Sequence, residues 1–535
     1  MDYVWWKHGT IYQIYPRSFQ DSNGDGIGDL QGIIDRLDYL NDGSERSLGI
    51  DGIWLSPTFP SPMADFGYDV SDYEDVHPDF GTLETMDRLI DEAHKRGIRI
   101  ILDFVPNHTS SQHPWFLESR SSRDNPKRDW YIWRDAGPAG EPPNNWIGAF
   151  GGPAWEWDQK TQQYYLHSFL VEQPDLNWRN PEVEQRMHDV LRFWLRRGVD
   201  GFRIDVMDRI LKDPDLRDNP PQPNRELGKL AQTLLQRHTQ DQDWPDIIPA
   251  IRRLRKVVDE FPDRMTVGEV FGTPENIVRY YGGEAADGLH LAFHFPFVRL
   301  WGERWSASVV RGVVDRFEAA LPASCWPNYV FGNHDVDRVV TRLGGGALGQ
   351  ARARVAAMLL LTLRGTPFIY YGEEIGMENV EIPEARRRDP ARKWARGRDP
   401  ERTPMQWSHG GGFSSAEPWL PYGDLAINVE DQSNDAGSML SLYRRLIWLR
   451  RRSDALRFGA YTPIDGVPED VYAYRRDAGG ESLLVALNFS SEDVVVTLPG
   501  EIRPQAVLAS THVAGPASGG ELRLRGNEGQ LLRLA

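Results

Sequence analysis

Through most of the chain, short apolar runs alternate with stretches in which apolar side chains recur every three to four positions. The runs begin at Thr10 (TIYQIYP), Gly49 (GIDGIWLSP), Ile98 (IRIILDFVPNH) and Gly198 (GVDGFRID), and continue at Met265 (MTVGEV), Leu289 (LHLAFHFP), Asn328 (NYVFGNHD) and Thr366 (TPFIYYGEEIG). Several are apolar without alternation, the pattern of parallel strands buried on both faces. Between them LETMDRLIDEAHKRG, PEVEQRMHDVLRFWLRRG and IPAIRRLRKVVDEFP have the period of amphipathic helices. Eight strands separated by helices predict an α/β fold, a (β/α)8 TIM barrel.

Two segments break that rhythm. Residues 109–174 are rich in Trp, Pro, Asn and Gly and have little helical period, which predicts an inserted subdomain on the third strand-to-helix loop. After Ser453 short β-type runs follow (VYAYRR, SLLVALNFS, VVVTLPG, ELRLRG), predicting a C-terminal antiparallel β domain, a sandwich over 454–535. The barrel is then built from 1–108 and 175–453. The tail has no ordered aromatic platform, so it reads as packing against the barrel rather than as a starch-binding module.

Composition narrows the partners. No stretch reaches the roughly 20 apolar residues of a membrane span, and the opening MDYVWWKHG lacks the basic-then-apolar pattern of a secretory leader. The single cysteine, Cys325, excludes an internal disulfide and fits a reducing compartment; the expectation is a cytoplasmic protein. A net charge of −17 argues against nucleic acid, whose binding needs clustered Lys and Arg. Nineteen Trp and nineteen Tyr supply flat apolar rings of the kind on which sugar C–H faces stack.

The chemistry lies in where the carboxylates fall. Residues at the C-terminal ends of barrel strands face the active site. GFRID ends in Asp205, VGEV contains Glu269 and FGNHD ends in Asp335, while FVPNH brings Asn107 and His108 to the same mouth. Three convergent carboxylates without a Cys/His cluster point to glycoside or phosphate chemistry rather than zinc. Phosphate chemistry would want a Gly-rich cradle, and GGGALG lacks both the Lys and the preceding strand. Glycosyl transfer fits better.

FVPNH, GFRID, VGEV and FGNHD, in this order and spacing, resemble the four signature segments of the α-amylase family of glycoside hydrolases. IYQIYPRSFQDSNGDGIGDLQGI, QPDLNW and RTPMQW are similar to its oligo-1,6-glucosidase and α-glucosidase branch. The resemblance implies that Asp205 is the nucleophile, Glu269 the general acid/base and Asp335 the carboxylate that holds sugar hydroxyls. It implies hydroxyl-binding roles for His108 and His334, a stacking role for Tyr68, and an Asp65–Arg402 pair that closes the pocket at the non-reducing end. Arg203, two residues before the nucleophile and so on the same strand face, is expected to keep Asp205 ionised. Glu269 is expected to start protonated. The activity expected is that of a retaining, exo-acting α-glucosidase working on small α-glucosides, with no catalytic cofactor.

The loop DSNGDGIGD puts Asp21, Asn23, Asp25, Ile27 and Asp29 at alternate positions. It starts like an EF-hand but has Gly32 where the twelfth-position Glu belongs; hard oxygens and the family branch imply a structural Ca2+ or Mg2+. Val206, after the nucleophile, goes with α-1,6 bonds in similar enzymes, a shape effect of only about 1–3 kcal/mol. The stretch MDRILKDPDLRDNPPQPN instead resembles α-glucosidases of other preference, including glucosyl-transferring ones. The charges of the loop from Glu373 to Gln406, Arg402 apart, are read as solvated. Two rivals stay open: a transglycosylase or sucrose isomerase of the same family, and a non-catalytic barrel acting as a binding subunit.

Overall fold

A computed structural model describes residues 2–221, 236–390, 397–500, 502–512 and 522–535. Gln222, Pro223 and Asn224 of the stretch after the nucleophile, residues 391–396 of the loop before RTPMQW, and Glu521 of ELRLRG lie outside them.

Each of the eight predicted runs contains a strand of one parallel sheet: β1 (Ile11–Ile14), β2 (Gly52–Leu55) and β3 (Arg99–Phe104), then β7 (Gly201–Ile204), β8 (Met265–Gly268), β9 (Leu291–Ala292), β10 (Asn328–Val330) and β11 (Thr366–Tyr370). The order β10-β11-β1-β2-β3-β7-β8-β9 is a barrel open at one seam. There the Asn328 side chain replaces the ladder: its Oδ1 accepts the His294 N–H at 3.3 Å, and its Nδ2 donates to the Ala292 carbonyl at 3.0 Å. The helices begin where their caps dictate. The helix Leu83–Lys95 has Thr82 accepting the Thr85 N–H, and Pro181–Arg196 has Asn180 accepting the Glu182 N–H with proline at its first position.

The barrel interior shows how the strand period sets up the site. An inward apolar cluster takes Ile11, Trp54, Ile101, Met265, Val267, Leu291, Val330 and Phe368, so seven of the eight strands contribute to it. Strand β7 does not, for its inward residues are Gly201 and Arg203. A Cβ at Gly201 would lie 2.8 Å from the Met265 carbonyl, so glycine is needed at that level. Because inward residues alternate, the positions one step above the apolar layer are Gln13, Asp103, Arg203 and Glu269. A hydrophobic floor therefore carries a polar ceiling.

The chain leaves the barrel at His108 and returns at Asp175, which pair as an antiparallel bridge. Between them β4 (Trp133–Arg134), β5 (Trp155–Asp158) and β6 (Gln163–Leu166) form a small antiparallel sheet in the order β4-β6-β5. Beyond the barrel, β12 (Ala460–Pro463), β13 (Val471–Ala478), β14 (Glu481–Asn488), β16 (Pro504–Ser510) and β18 (Gly529–Leu534) form an antiparallel sheet, and β15 (Val494–Val496) pairs with β17 (Leu522–Leu524). A separate apolar cluster joins the two sheets. Buried Arg476 ties the tail to the barrel by donating to the carbonyls of Thr362, Leu456 and Gly459. Among the described residues no helix is long and apolar enough to cross a membrane.

Candidate active site

Asp205 and Glu269 are each the first residue past a strand. The Asp205 N–H still donates to Phe104 and the Glu269 N–H to Ile204, so the ladder continues one step and fixes both carboxylates at the rim. Arg203 joins them. Its Nη1 lies 2.6 Å from Asp205 and 2.9 Å from Asp103, and its Nη2 lies 2.6 Å from Glu269. Both carboxyls thus share one guanidinium fork at the barrel rim.

Val206 has φ 33° and ψ 50°, a left-handed conformation that a β-branched residue rarely adopts. It turns its N–H onto a Glu269 oxygen at 3.2 Å.

Asp335 is five residues past the end of β10, in the loop rather than at the strand end where the sequence put it. The Asn333 side chain accepts the Asp335 N–H and turns the chain back toward the pocket. His334 stacks on Tyr68 with rings 5.3 Å apart and nearly parallel. Its Nε2 is 2.6 Å from the Tyr68 hydroxyl and 3.3 Å from Asp335. Tyr68 in turn donates to Asp103. His108 contacts Gln173 Nε2 at 3.0 Å, and Gln173 also donates to Asp65. A chain of contacts thus runs from Asp205 through Tyr68 to His334 and Asp335, with His108 and Asp65 at one side.

The pair at the far end differs from expectation. Asp65 binds Arg398, not Arg402: Arg398 Nη2 is 2.6 Å from Asp65, and its Nη1 is 2.9 Å from Asp335. Arg402 instead points to Asp335 at 3.0 Å and to the His334 carbonyl at 2.7 Å. Four residues apart on a turn, the two arginines approach the pocket from different directions. Arg398 is also held by Asp389, so this charge of the Glu373–Gln406 loop is half-buried and paired rather than solvated. Asp103, Gln173 and Arg398 went unread in the sequence. For Asp103 a signal existed, an acid inside the apolar run IRIILDFV.

Burial raises Asp205 well above the ordinary carboxylate range; Arg203 opposes this, and the like charges of Glu269 and Asp103 reinforce it. Burial likewise pushes Asp103 up to about 6 against the pull of Arg203. One guanidinium serves three carboxyls, so Arg203 lowers Asp205 without outweighing its burial. Burial also acts on Asp335, but His334, Arg398, Arg402 and Arg203 together hold it below the usual range. His108 is lowered to about 4, and His334 well below its ordinary value, chiefly by burial, which disfavours the charged form of both rings.

The loop expected to hold a metal stands apart. Asp21 accepts the N–H groups of Asn23, Gly24 and Gly26 and the Ser414 hydroxyl; Asp29 accepts from Ser22 and caps the next helix through the Gly32 N–H. Among the described residues no group of three or more His, Cys, Asp or Glu is gathered to hold a metal ion.

The family model for the alpha amylase catalytic domain matches residues 13–459. A probable alpha-glucosidase of Rhizobium meliloti is 45% identical, over 93% of this chain and 92% of its own. An oligo-1,6-glucosidase of Parageobacillus thermoglucosidasius is 39% identical over 100% of both chains. Among solved structures, the alpha-glucosyl transfer enzyme XgtA superposes with a TM-score of 0.92 at 42% identity, covering 100% of each chain.

Proposed function

The chain belongs to the alpha-amylase family of glycoside hydrolases, and from that premise we propose a retaining, exo-acting α-glucosidase in which Asp205 is the nucleophile and Glu269 the general acid/base. The observation that carries the reading is the Arg203 fork with both carboxyls on it. One proton shared between them is what the first step requires. With a sugar in place it sits on Glu269 and passes to the departing glycosidic oxygen, while Asp205 attacks the anomeric carbon. Glu269, now a base, draws a proton from water, which releases glucose with its α configuration. Asp335, kept ionised by its cations, accepts hydrogen bonds from sugar hydroxyls as positive charge grows on the ring. His108 and His334 complete the hydroxyl contacts, and Tyr68 offers its ring face.

Exo action is supported by Arg398, which bridges Asp65 and Asp335 and walls off the far end of the sugar site. The substrates are short α-glucosides, the class implied by the names of the relatives. Every group the reaction uses is a side chain, so it needs no catalytic cofactor. Glucose release from maltose, isomaltose, trehalose, sucrose and kojibiose, with the first-formed anomer followed by NMR, tests the reading. α-Glucose is the expected product; β-glucose overturns the mechanism, and preference for long starch over every disaccharide overturns the closed pocket.

Glucosyl transfer is the second reading, favoured by the likeness to XgtA, since the same glycosyl-enzyme can pass to a sugar hydroxyl instead of water. Oligosaccharides accumulating at high sugar concentration would identify it. For the loop Asp21–Asp29 we propose a structural Ca2+ or Mg2+, supported by hard oxygens at alternate positions, of which the Asn23 and Asp25 side-chain oxygens accept one N–H each and keep a second lone pair. A fall in melting temperature with EDTA tests this, and no change removes the ion. Cys325, buried and unpaired, supports a reducing, cytoplasmic setting.

A further inference from the structure

A cavity of about 640 Å3 opens at the N-terminal end of the barrel, opposite the carboxylate network. Small-molecule sites measure roughly 300–1,000 Å3. Three parts of the chain that are far apart in sequence meet there. Tyr3 and His8 come from the opening segment, and Asp51, Arg99 and Asp263 stand at or just before the starts of β2, β3 and β8. Arg451 and Arg457 come from the helices Met439–Arg452 and Asp454–Phe458, which lead into the tail. That face of a TIM barrel ordinarily serves stability, yet this cavity carries donors that the protein itself leaves unused.

Both of its acids are taken. Asp51 accepts the Tyr3 hydroxyl at 3.0 Å and the Thr10 N–H at 2.9 Å, with Arg451 Nη1 at 3.2 Å, and Asp263 is bound by Arg99 at 3.0 Å. The donors are not. Among the described residues Arg451 uses only Nη1, on Asp51 and the Gly49 carbonyl. Arg457 lies over the Tyr3 ring at 5.6 Å and reaches only Asp454, outside the lining, at 3.5 Å; its buried Nε has no partner among the described residues. His8 is 8% exposed, and burial lowers it to about 4. Its Nδ1 accepts the Val4 N–H at 2.9 Å, so the neutral ring carries its hydrogen on Nε2, which meets no acceptor among the described residues.

Two guanidinium groups with spare N–H, beside a neutral ring N–H, suit an anion with several oxygens. Guanidinium forks match phosphate oxygens in pairs, and a phosphate keeps a further oxygen for a third donor. We propose that this cavity binds a phosphate group, free or carried on a small sugar, at the end of the barrel opposite the catalytic pocket. The proposal stands independently of the glucosidase reading.

Isothermal titration of the full-length enzyme at pH 7 in phosphate-free buffer with ribose 5-phosphate tests this, with ribose and inorganic phosphate as partners lacking the charge or the sugar. The expected result is saturable one-to-one binding of ribose 5-phosphate, weaker by at least about tenfold for ribose. Inorganic phosphate binding as tightly as the ester supports the free ion as occupant; binding at least about tenfold weaker supports the ester. An Arg457→Gln variant should lose at least about tenfold in affinity while its melting temperature and maltose hydrolysis stay unchanged, since Arg457 is half-buried and its one ion pair is long. Repeating the titration on Asp205→Asn protein in excess maltose should leave the affinity unchanged. Absence of saturation, equal binding of ribose, an unaffected Arg457→Gln variant, or loss of binding with maltose each overturns the proposal.

Discussion

The two ends of the barrel both bury dense charge, and they handle it in opposite ways. At the N-terminal end, fully buried Asp200 receives Arg99 at 2.9 Å, Arg264 at 3.3 Å, His94 at 2.6 Å and the Ile100 N–H. One carboxylate there has two guanidinium groups and its lone pairs are taken. At the C-terminal end Arg203, equally buried, is shared by Asp103, Asp205 and Glu269. Asp200 and Arg203 are equally buried; the ratio of cations to anions around them is not the same. A saturated carboxylate locks strands together, whereas carboxyls that share one cation are left closer to taking up and giving a proton. That ratio is what separates a structural charge network from a reactive one here.

Breaking the reactive end should cost chemistry and spare the fold. Asp205→Asn should lower kcat by at least about 10³-fold, or ~4 kcal/mol, in steady-state assays. Its melting temperature should not fall, since the change removes one of three mutually repelling acids. Near-normal hydrolysis would refute the assignment. Breaking the saturated end should do the reverse. Asp200→Ala removes the buried acceptor that gathers Arg99, Arg264, His94 and the Ile100 N–H and should cost about 2 kcal/mol in urea denaturation, with kcat per folded molecule unchanged. A large loss of kcat at full stability would erase the contrast between the ends.

Between these lies Arg398, which both orders the pocket and bridges two acids. Arg398→Gln should reduce kcat/KM for maltose by about 10²-fold and relax the preference for short substrates. An equal loss on long and short chains would mean that it does not close the pocket. The smallest effect sharpens the comparison by pH. Glu373, beyond β11, is pushed up to about 8, chiefly by burial. The native protein thus holds this proton more tightly than the unfolded chain, so its stabilising contribution is present below the ordinary carboxylate range and lost as pH climbs through about 8. Melting temperature should fall between pH 6 and pH 9, and Glu373→Gln should flatten that slope; an identical slope in the variant would exclude Glu373 as its source.

Much of the fold was legible because it repeats. Continuous apolar runs such as IRIIL and helical period in PEVEQRMHDVLRFWLRR are local consequences of how strands and helices bury themselves, and all eight runs became strands of one sheet. Asp205, Arg203 and Glu269 were legible for the same reason: a strand's period of two decides which residues face inward, and the barrel decides which end is open. Asp335 was less so, because the strand stops at Val330 and an Asn333 turn brings it back.

What stayed hidden has no period. From spacing alone, Arg398 and Arg402 are equivalent candidates for Asp65, and only the path of a loop across 333 positions of sequence decides that Arg398 reaches it. Likewise Asp103 was visible as an acid in an apolar run, but that it shares one guanidinium with two other acids is a fact of closure. By itself the sequence determined the strands, their inward faces and the residue types at the rim, since those follow from short-range geometry. The ratio of charges at each end, and with it which carboxyls hold a proton, was decided by the tertiary structure, because electrostatic pairing in a buried site depends on distances that only the closed barrel sets.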